Sequence, residues 1–528
     1  MSKDTLQPHS LITSLMQPDA YDPPVEKCEL IETHISWVIL AGAYAYKIKK
    51  SLNLGFLDFS TLEKRRFYCG EELRLNKRLA PMVYLSVVPI TGTLEHPRLN
   101  PQLAGEGQAI EYAVKMRAFP QQAQLDRVLA LGTLKSQQID ILSRHIANFH
   151  NRIDVAGGDT IYGNPPSVLQ PIEENFKQIR EHVTDTKALN MLSELERFSR
   201  ENFQALQSLF TQRKSAGFVR ECHGDLHLRN IAWMDDGPVV FDCIEFNPGL
   251  RWIDVMSDVA FLVMDLQDRQ QPALAQRFMN HYLEHTGDYA GMRVLRFYQM
   301  YRALVRAKID AIRGDQAGIS QKEQLEAEKD FFGYLNLGLT YVRPLKPQLI
   351  ITRGRSASGK STVSGALLEQ LGAVRIRSDV ERKRLFGLKA EDDGQSAVGQ
   401  GIYSANATAR TYRKLEELAA ELLDAGYPVI VDAVFLHYEE RENLRKLAEA
   451  RQIAFVILHC TANLEILRQR IVQRQRDVSD ADLKVLEMQC SEWQPLHKHE
   501  RINAVTIDTA GVVDINSLAS QVKNIVSM

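Results

Sequence analysis

The sequence predicts a two-lobed α+β domain followed by an α/β domain built on a parallel sheet. Three observations carry that division. Residues 354–361 read Gly-Arg-Ser-Ala-Ser-Gly-Lys-Ser, the G-x-x-x-x-G-K-[ST] pattern, set between an apolar strand and a helix. Residues 223–230 read His-Gly-Asp-Leu-His-Leu-Arg-Asn, and Asp242 follows at the end of an apolar run. Between these motifs, Arg343-Pro344-Leu345-Lys346-Pro347 separates a long helical stretch from the strand Gln348–Thr352. A chain of 528 residues exceeds one hydrophobic core. The seam divides it into domains at 1–343 and 344–528.

The first domain opens with a strand-rich lobe, about residues 1–118. Residues 29–50 read as paired strands turning near Ala41-Gly42. A helix over 60–80 follows, capped at Ser60 or Thr61 with Glu63 in its first turn, and strands are expected at 84–90 and 110–118. In the second lobe, 119–343, helices dominate from about 133 and are interrupted around 218–246. A strand-rich lobe before a helical one is a protein-kinase-like layout. After the seam, strands at 348–352, 373–377, 428–432 and 454–459 alternate with helices at 360–371, 407–425 and 438–451. Such alternation implies a parallel sheet covered by helices, the P-loop NTPase architecture.

Composition limits the partners. The net charge of −2 gives no overall drive toward nucleic acid or anionic membrane. The apolar runs at 35–46 and 255–266 are too short to span a bilayer. Six scattered cysteines, none in a C-x-x-C pair, suit free thiols in a reducing compartment, and the N-terminal residues lack the apolar stretch of a signal peptide. A cytoplasmic enzyme is expected.

His223-x-Asp225-x-x-x-x-Asn230 has the spacing of a kinase catalytic loop. Phosphoryl transfer there requires a base for the acceptor hydroxyl, Mg²⁺ ligands, a lysine on the ATP phosphates and a carboxylate to orient that lysine. Asp225 is the candidate base, Asn230 and Asp242 are the candidate metal ligands, and Glu245 lies nearby. Lys47 and Lys49 share one face of their strand, and either reaches the phosphates; Lys47 is preferred because it is further from the strand end. Glu72 is the candidate partner, with Glu71 competing. The segment 223–230 resembles the catalytic loop of aminoglycoside phosphotransferases and choline-kinase-like enzymes, and Phe241-Asp242-Cys243-Ile244-Glu245-Phe246 resembles their metal-binding segment. The resemblance covers roughly residues 30–340 and implies Asp225 as base and Asn230 and Asp242 as metal ligands. Two features depart from protein kinases: no G-x-G-x-x-G loop precedes Lys47, and Asp-Cys-Ile-Glu stands where they carry Asp-Phe-Gly. An aminoglycoside pocket calls for convergent carboxylates. Asp254, Asp258, Asp265 and Asp268 follow the metal segment, although Asp258 equally suits a buried role against the catalytic loop.

In the second domain the loop amides from Gly354 through Ser358 and Gly359 cradle phosphates. Lys360 reaches the β- and γ-phosphates, Ser361 binds Mg²⁺, and Thr362 completes the nucleotide-binding set at a helix N-terminus that favours anions. Asp379 opens Asp379-Val380-Glu381-Arg382 beyond a strand's carboxyl end, where ligands bind in open α/β sheets. It serves either as base for an acceptor hydroxyl or as a helix cap, and Arg382 is suited to hold an acceptor phosphate. Asp432 ends a strand as a Mg²⁺ partner, a residue behind the metal's ligands, or a substrate contact. Arg470 and Arg474 share a helix face that either closes over ATP as a lid or is merely solvated. Residues 348–528 resemble small P-loop kinases of the gluconate-kinase, polynucleotide-kinase and zeta-toxin kinds, which raises the catalytic reading of Asp379.

The expected protein is thus a bifunctional phosphotransferase using ATP and Mg²⁺ on small hydroxyl acceptors. The alternatives are a nucleotide-binding regulatory protein, or a P-loop polynucleotide or zeta-toxin-like kinase beside an inactive kinase-like domain.

Overall fold

In the computed structural model, residues 7–55, 57–99, 108–235, 237–316, 318–390, 392, 401–473 and 482–527 are described. Their packing forms two compact units. The first comprises Met1–Ile141, Asn148–Glu174 and Phe203–Leu262; the second comprises Leu142–Ala147, Asn175–Asn202 and Val263–Met528. The expected seam is an extended connection at 344–347, but the packing division lies elsewhere. Helices Pro272–Thr286, Met292–Gly314 and Gln321–Val342 precede the seam and pack in the second unit. Prolines interrupt the chain's path, whereas burial decides which elements cluster.

The first unit holds a six-stranded sheet, β1 (Cys28–Glu32), β2 (Ser36–Ala41), β3 (Tyr44–Lys49), β4 (Tyr84–Gly92), β5 (Pro97–Arg98) and β6 (Glu111–Arg117), in the order β1-β2-β3-β6-β4-β5. The β2–β3 hairpin pairs Ala41 with Tyr44, and Gly42 at φ +59° closes its turn. Helix α1 (Leu62–Asn76) packs on β6 and β4. Thr61 caps it, its hydroxyl accepting from the Lys64 amide at 3.3 Å, in the place and manner expected. Cys69 on α1, Val83 just before β4, and Tyr84 and Val114 on the sheet share a buried cluster. Short strands β7 (Val219–Glu221), β8 (Ile231–Met234), β9 (Gly237–Val240) and β10 (Trp252–Asp254) flank residues 223–230 as two antiparallel pairs, β7–β10 and β8–β9.

In the second unit, β11 (Gln348–Arg353), β12 (Val374–Arg377), β13 (Val429–Asp432), β14 (Ala454–Thr461) and β15 (Ala504–Asp508) make one parallel sheet in the order β12-β13-β11-β14-β15. Every residue of β11 and β13 is buried, as expected for strands covered on both faces. Helix α3 (Lys360–Leu371) contributes Val363 and Leu367 to a core shared with Ile350, Ile430, Val456 and Leu518. The preceding helix α2 (Pro272–Thr286) packs on α3 and on the edge strand β12. Strand β15 was not anticipated; only Val505 and Ile507 mark its buried face. Among the described residues no helix is long and apolar enough to cross a membrane. All six cysteines are free.

Candidate active sites

In the first unit, strand alternation turns Lys47 and Lys49 to the same side, and both reach Glu72 on α1. Lys47 Nζ lies 2.8 Å from Glu72 Oε1 and 2.6 Å from Asp242 Oδ1. Lys49 Nζ lies 2.7 Å from Glu72 Oε2 and also pairs with Glu245. The choice between the lysines therefore resolves into a division of labour. Lys47 joins the helix carboxylate to Asp242, while Lys49 ties the same carboxylate to the segment beyond Asp242. Glu71 is engaged elsewhere, by Arg74 at 2.9 Å and Arg251 at 3.4 Å. Burial opposes charge on Lys47, but Asp242, Glu72 and Glu245 together hold its ammonium well above the ordinary lysine range. Burial likewise opposes Glu72, but Lys47 and Lys49 hold its carboxyl down to about 2.

That depression carries a sign. A carboxyl with a folded-state value of about 2, against an ordinary 4.5, stabilises the fold fully above pH 4.5 and loses that contribution as pH falls toward 2. Glu72→Gln is therefore expected to flatten the acid-unfolding profile across that window, measured by circular dichroism.

The 223–230 loop is held by Asp258. Its Oδ2 accepts from the His223 amide at 3.0 Å, its Oδ1 from the Gly224 amide at 2.9 Å, and His150 Nε2 lies 3.2 Å from Oδ2. The buried role is thus the one built. Asp254 is paired with Arg213 and Asp265 with Arg269, so these carboxylates are committed to structure. Gly224 sits at φ +86°, and a Cβ there would stand 2.8 Å from the Leu250 carbonyl oxygen. Gly224→Ala is expected to destabilise the fold by more than about 1 kcal/mol, read by denaturant unfolding.

Asp225 leaves this loop with its side chain 33% exposed. Asn230 Nδ2 donates to Asp225 Oδ2 at 2.9 Å and to its carbonyl at 3.0 Å, and His227 Nε2 lies 3.3 Å from Oδ2. Burial lowers the pKa of His223, favouring the neutral ring. Its Nε2 lies 2.9 Å from the Phe241 carbonyl, an acceptor that fixes the proton on Nε2, and Nδ1 accepts from the Asp225 amide at 3.3 Å. His223 therefore couples Asp225 to the segment carrying Asp242. Asp242 adopts φ +64°, donates its amide to the Tyr84 hydroxyl at 3.2 Å, and keeps its side chain 45% exposed. Asn230 and Asp242 offer only oxygen donors, a set suited to Mg²⁺ rather than to a soft metal.

In the second unit a cavity of about 1460 Å³ is lined by Lys360, Ser361, Asp379, Arg382, Asp432 and Arg470, among others. Gly354 is required by crowding: a Cβ there would lie 2.5 Å from the Cys460 carbonyl. Gly359 takes φ +80° against Thr509. Ser358 is buried, its Oγ lacking a hydrogen-bond partner among the described residues, and Thr362 is exposed at the cavity. Lys360 Nζ donates to the Arg355 carbonyl at 2.9 Å. Asp379 is the second residue of α4 (Ser378–Leu385), and Arg377 occupies the cap position, so capping is not what holds Asp379 there. Arg382 donates to the Ile402 carbonyl at 2.9 Å, while its buried Nε has no hydrogen-bond partner among the described residues. Arg470, on the helix Leu464–Gln473, reaches the loop, donating to the Ala357 carbonyl at 3.3 Å, and also donates to Thr509 Oγ1 at 3.2 Å. Arg474 lies outside the described residues. Asp432 accepts from the Thr352 hydroxyl at 3.2 Å and the Ser364 hydroxyl at 3.1 Å. Ser361 and Asp432 are again hard oxygen donors that suit Mg²⁺.

Gln489 was not anticipated. Its Oε1 accepts from the Ser356 amide at 2.7 Å and its Nε2 donates to Ser356 Oγ at 3.0 Å, which fixes the loop from a later helix. No local pattern marks such a glutamine.

Residues 160–298 match the model described as the phosphotransferase enzyme family, and residues 349–496 match the model described as an AAA domain. The chain carries a phosphotransferase domain. The first match contains Asp225, Asn230 and Asp242; the second contains the Gly354–Ser361 loop, Asp379, Asp432 and Arg470. An uncharacterized protein of Mycobacterium tuberculosis (strain ATCC 25618 / H37Rv) is 29% identical over 483 residues, covering 91% of this chain and 92% of its own length. An uncharacterized protein of Mycobacterium bovis shows the same identity and coverage. Among solved structures, a choline/ethanolamine kinase family protein from Mesorhizobium loti aligns at 12% identity and TM-score 0.35, over 59% of this chain and 92% of its own. A gluconokinase from Sinorhizobium meliloti aligns at 20% identity and TM-score 0.24, over 35% of this chain and 91% of its own.

Proposed function

We propose that this chain is a bifunctional, ATP- and Mg²⁺-dependent phosphotransferase with two separate centres, each moving the γ-phosphoryl group of ATP to a hydroxyl of a small molecule. The observation that carries the reading is the partly exposed Asp225 carboxylate, held by Asn230 beside the segment of Asp242, which Lys47 joins to Glu72. It is supported by the second cavity, which Lys360, Ser361, Asp379 and Asp432 all line.

In the first centre Asp225 accepts the proton of the acceptor hydroxyl. The freed oxygen bonds to the γ-phosphorus, the bond from that phosphorus to the bridging oxygen breaks, and ADP leaves. Lys47, oriented by Glu72, meets the phosphate charge, and neutral His223 keeps the base in register with Asp242. Asn230 and Asp242 would hold Mg²⁺, which when bound neutralises phosphate charge. In the second centre Lys360 and the loop amides meet the phosphates, Asp379 takes the acceptor proton, and Arg382 binds an anionic or polar group of the acceptor. Ser361 and Asp432 would serve Mg²⁺ there, and Arg470 closes over the nucleotide. A chain that draws on ATP and keeps six free cysteines belongs in the reducing cytoplasm.

The test is transfer from γ-labelled ATP into a small-molecule cell extract, with Asp225→Asn and Lys360→Ala run beside the wild type. Labelled small-molecule products, each missing with one variant, are expected. Released phosphate alone, with neither variant changing any product, would overturn the reading.

A further inference from the structure

Arg375 is buried on the edge strand β12, where a carboxylate partner offsets the cost of burying its charge. That partner comes from α2, in the stretch that matches the phosphotransferase model, while Arg375 lies in the stretch that matches the AAA model. Glu284 Oε1 accepts from Arg375 Nη2 at 2.7 Å and from Nε at 3.0 Å. The remaining arm, Nη1, donates to the Ser361 carbonyl at 3.1 Å and to Ser364 Oγ at 3.3 Å. A serine hydroxyl has a single proton. Two acceptors compete for it, the Ser361 carbonyl at 3.3 Å and Asp432 Oδ2 at 3.1 Å; Arg375 already donates to that carbonyl, which leaves the nearer, charged Asp432 as the stronger acceptor. The other Glu284 oxygen faces Arg377 Nη1 at 3.6 Å, and Arg377 lines the cavity two residues before Asp379. Helix α2 also completes the strand edge: Asn280 Oδ1 accepts from the Arg375 amide at 2.7 Å, and Asn280 Nδ2 donates to the Ala373 carbonyl at 3.1 Å.

We propose that Glu284 is a positioning residue of the P-loop centre: through the Arg375 guanidinium it fixes the Ser361 carbonyl and, by way of the Ser364 hydroxyl, the Asp432 carboxylate. The inference rests on the reading of that cavity as an ATP- and Mg²⁺-using centre. It makes α2 a working part of the P-loop centre, although α2 lies before the proline seam. The rigid fork of Arg375 spans three acceptors at once, which a lysine cannot do.

The experiment uses the full chain and a fluorescent ATP analogue, following the binding component that Lys360→Ala removes, as Mg²⁺ is varied. Glu284→Gln and Arg375→Lys are each expected to raise the Mg²⁺ concentration at half-saturation about tenfold or more, as the loss of a partner behind a metal's ligands does. Binding without Mg²⁺ should stay unchanged. Arg375→Lys keeps a charge opposite Glu284 and so separates the effect from unfolding. Arg277→Ala breaks the 2.8 Å pair with Glu369 that joins α2 to α3, and should leave the Mg²⁺ dependence as in the wild type. A wild-type Mg²⁺ dependence in Glu284→Gln, or an equal shift in Arg277→Ala, would overturn the inference while leaving the P-loop reading in place. Absence of any Lys360-dependent binding in the wild type would overturn that reading and the inference together.

Discussion

Asp225→Asn is expected to remove transfer at the first centre while leaving nucleotide binding there intact. The side chain keeps its size and can still meet Asn230 and His227, but it no longer accepts a proton at neutral pH. A positioned general base contributes about 10²–10⁴-fold, so kcat for the product of this centre should fall by that order with the ATP KM nearly unchanged. Steady-state kinetics on the product lost in this variant gives the split. A fall in ATP affinity with kcat preserved would place Asp225 among the binding residues instead.

Lys360→Ala carries the second large effect. Lys360 lies at the N-terminus of α3, where loop amides and helix dipole already favour anions. In the proposed reaction its ammonium adds the mobile charge that follows the transferred group, and loss of such an electrostatic contact costs about 10²–10³-fold in rate. The variant should lose transfer and most nucleotide affinity at the P-loop centre, with the Asp225-dependent product unaffected. Isothermal titration of the nucleotide, beside product assays for both centres, reads both outcomes. Loss of both products together would indicate one shared reaction rather than two.

The parts of these centres that were readable from sequence are those whose chemistry is packed into a short run. Asp225 and Asn230 are five residues apart, and the hydrogen bonds between them close within the loop that names them. The same holds for Gly354 through Ser361, where the spacing of glycines, lysine and serine is itself the structure. Strand alternation put Lys47 and Lys49 on one face but could not choose between them, because both turn out to meet Glu72. Asp258 was readable only as two alternatives: its contacts to His223 and Gly224 cross more than thirty residues, and nothing in its own neighbourhood announces them. Glu284 and Arg375 are separated by 91 residues and by the proline seam. A proline pair reports where the chain cannot continue a helix, not which side chains will later share a buried charge. Strand β15 is faint in the sequence for a related reason: five residues with two buried positions are too few to outweigh their polar neighbours.

The central claim is that one chain holds two independent ATP-dependent centres. It is tested most directly by the binding stoichiometry of a non-hydrolysable ATP analogue with Mg²⁺, measured calorimetrically on the full chain. The account predicts two molecules per chain for the wild type. It predicts one for Lys360→Ala, and one again when Lys47 and Asp242 are both replaced by alanine. A single site in the wild type, or two sites that vanish together in either variant, would contradict it.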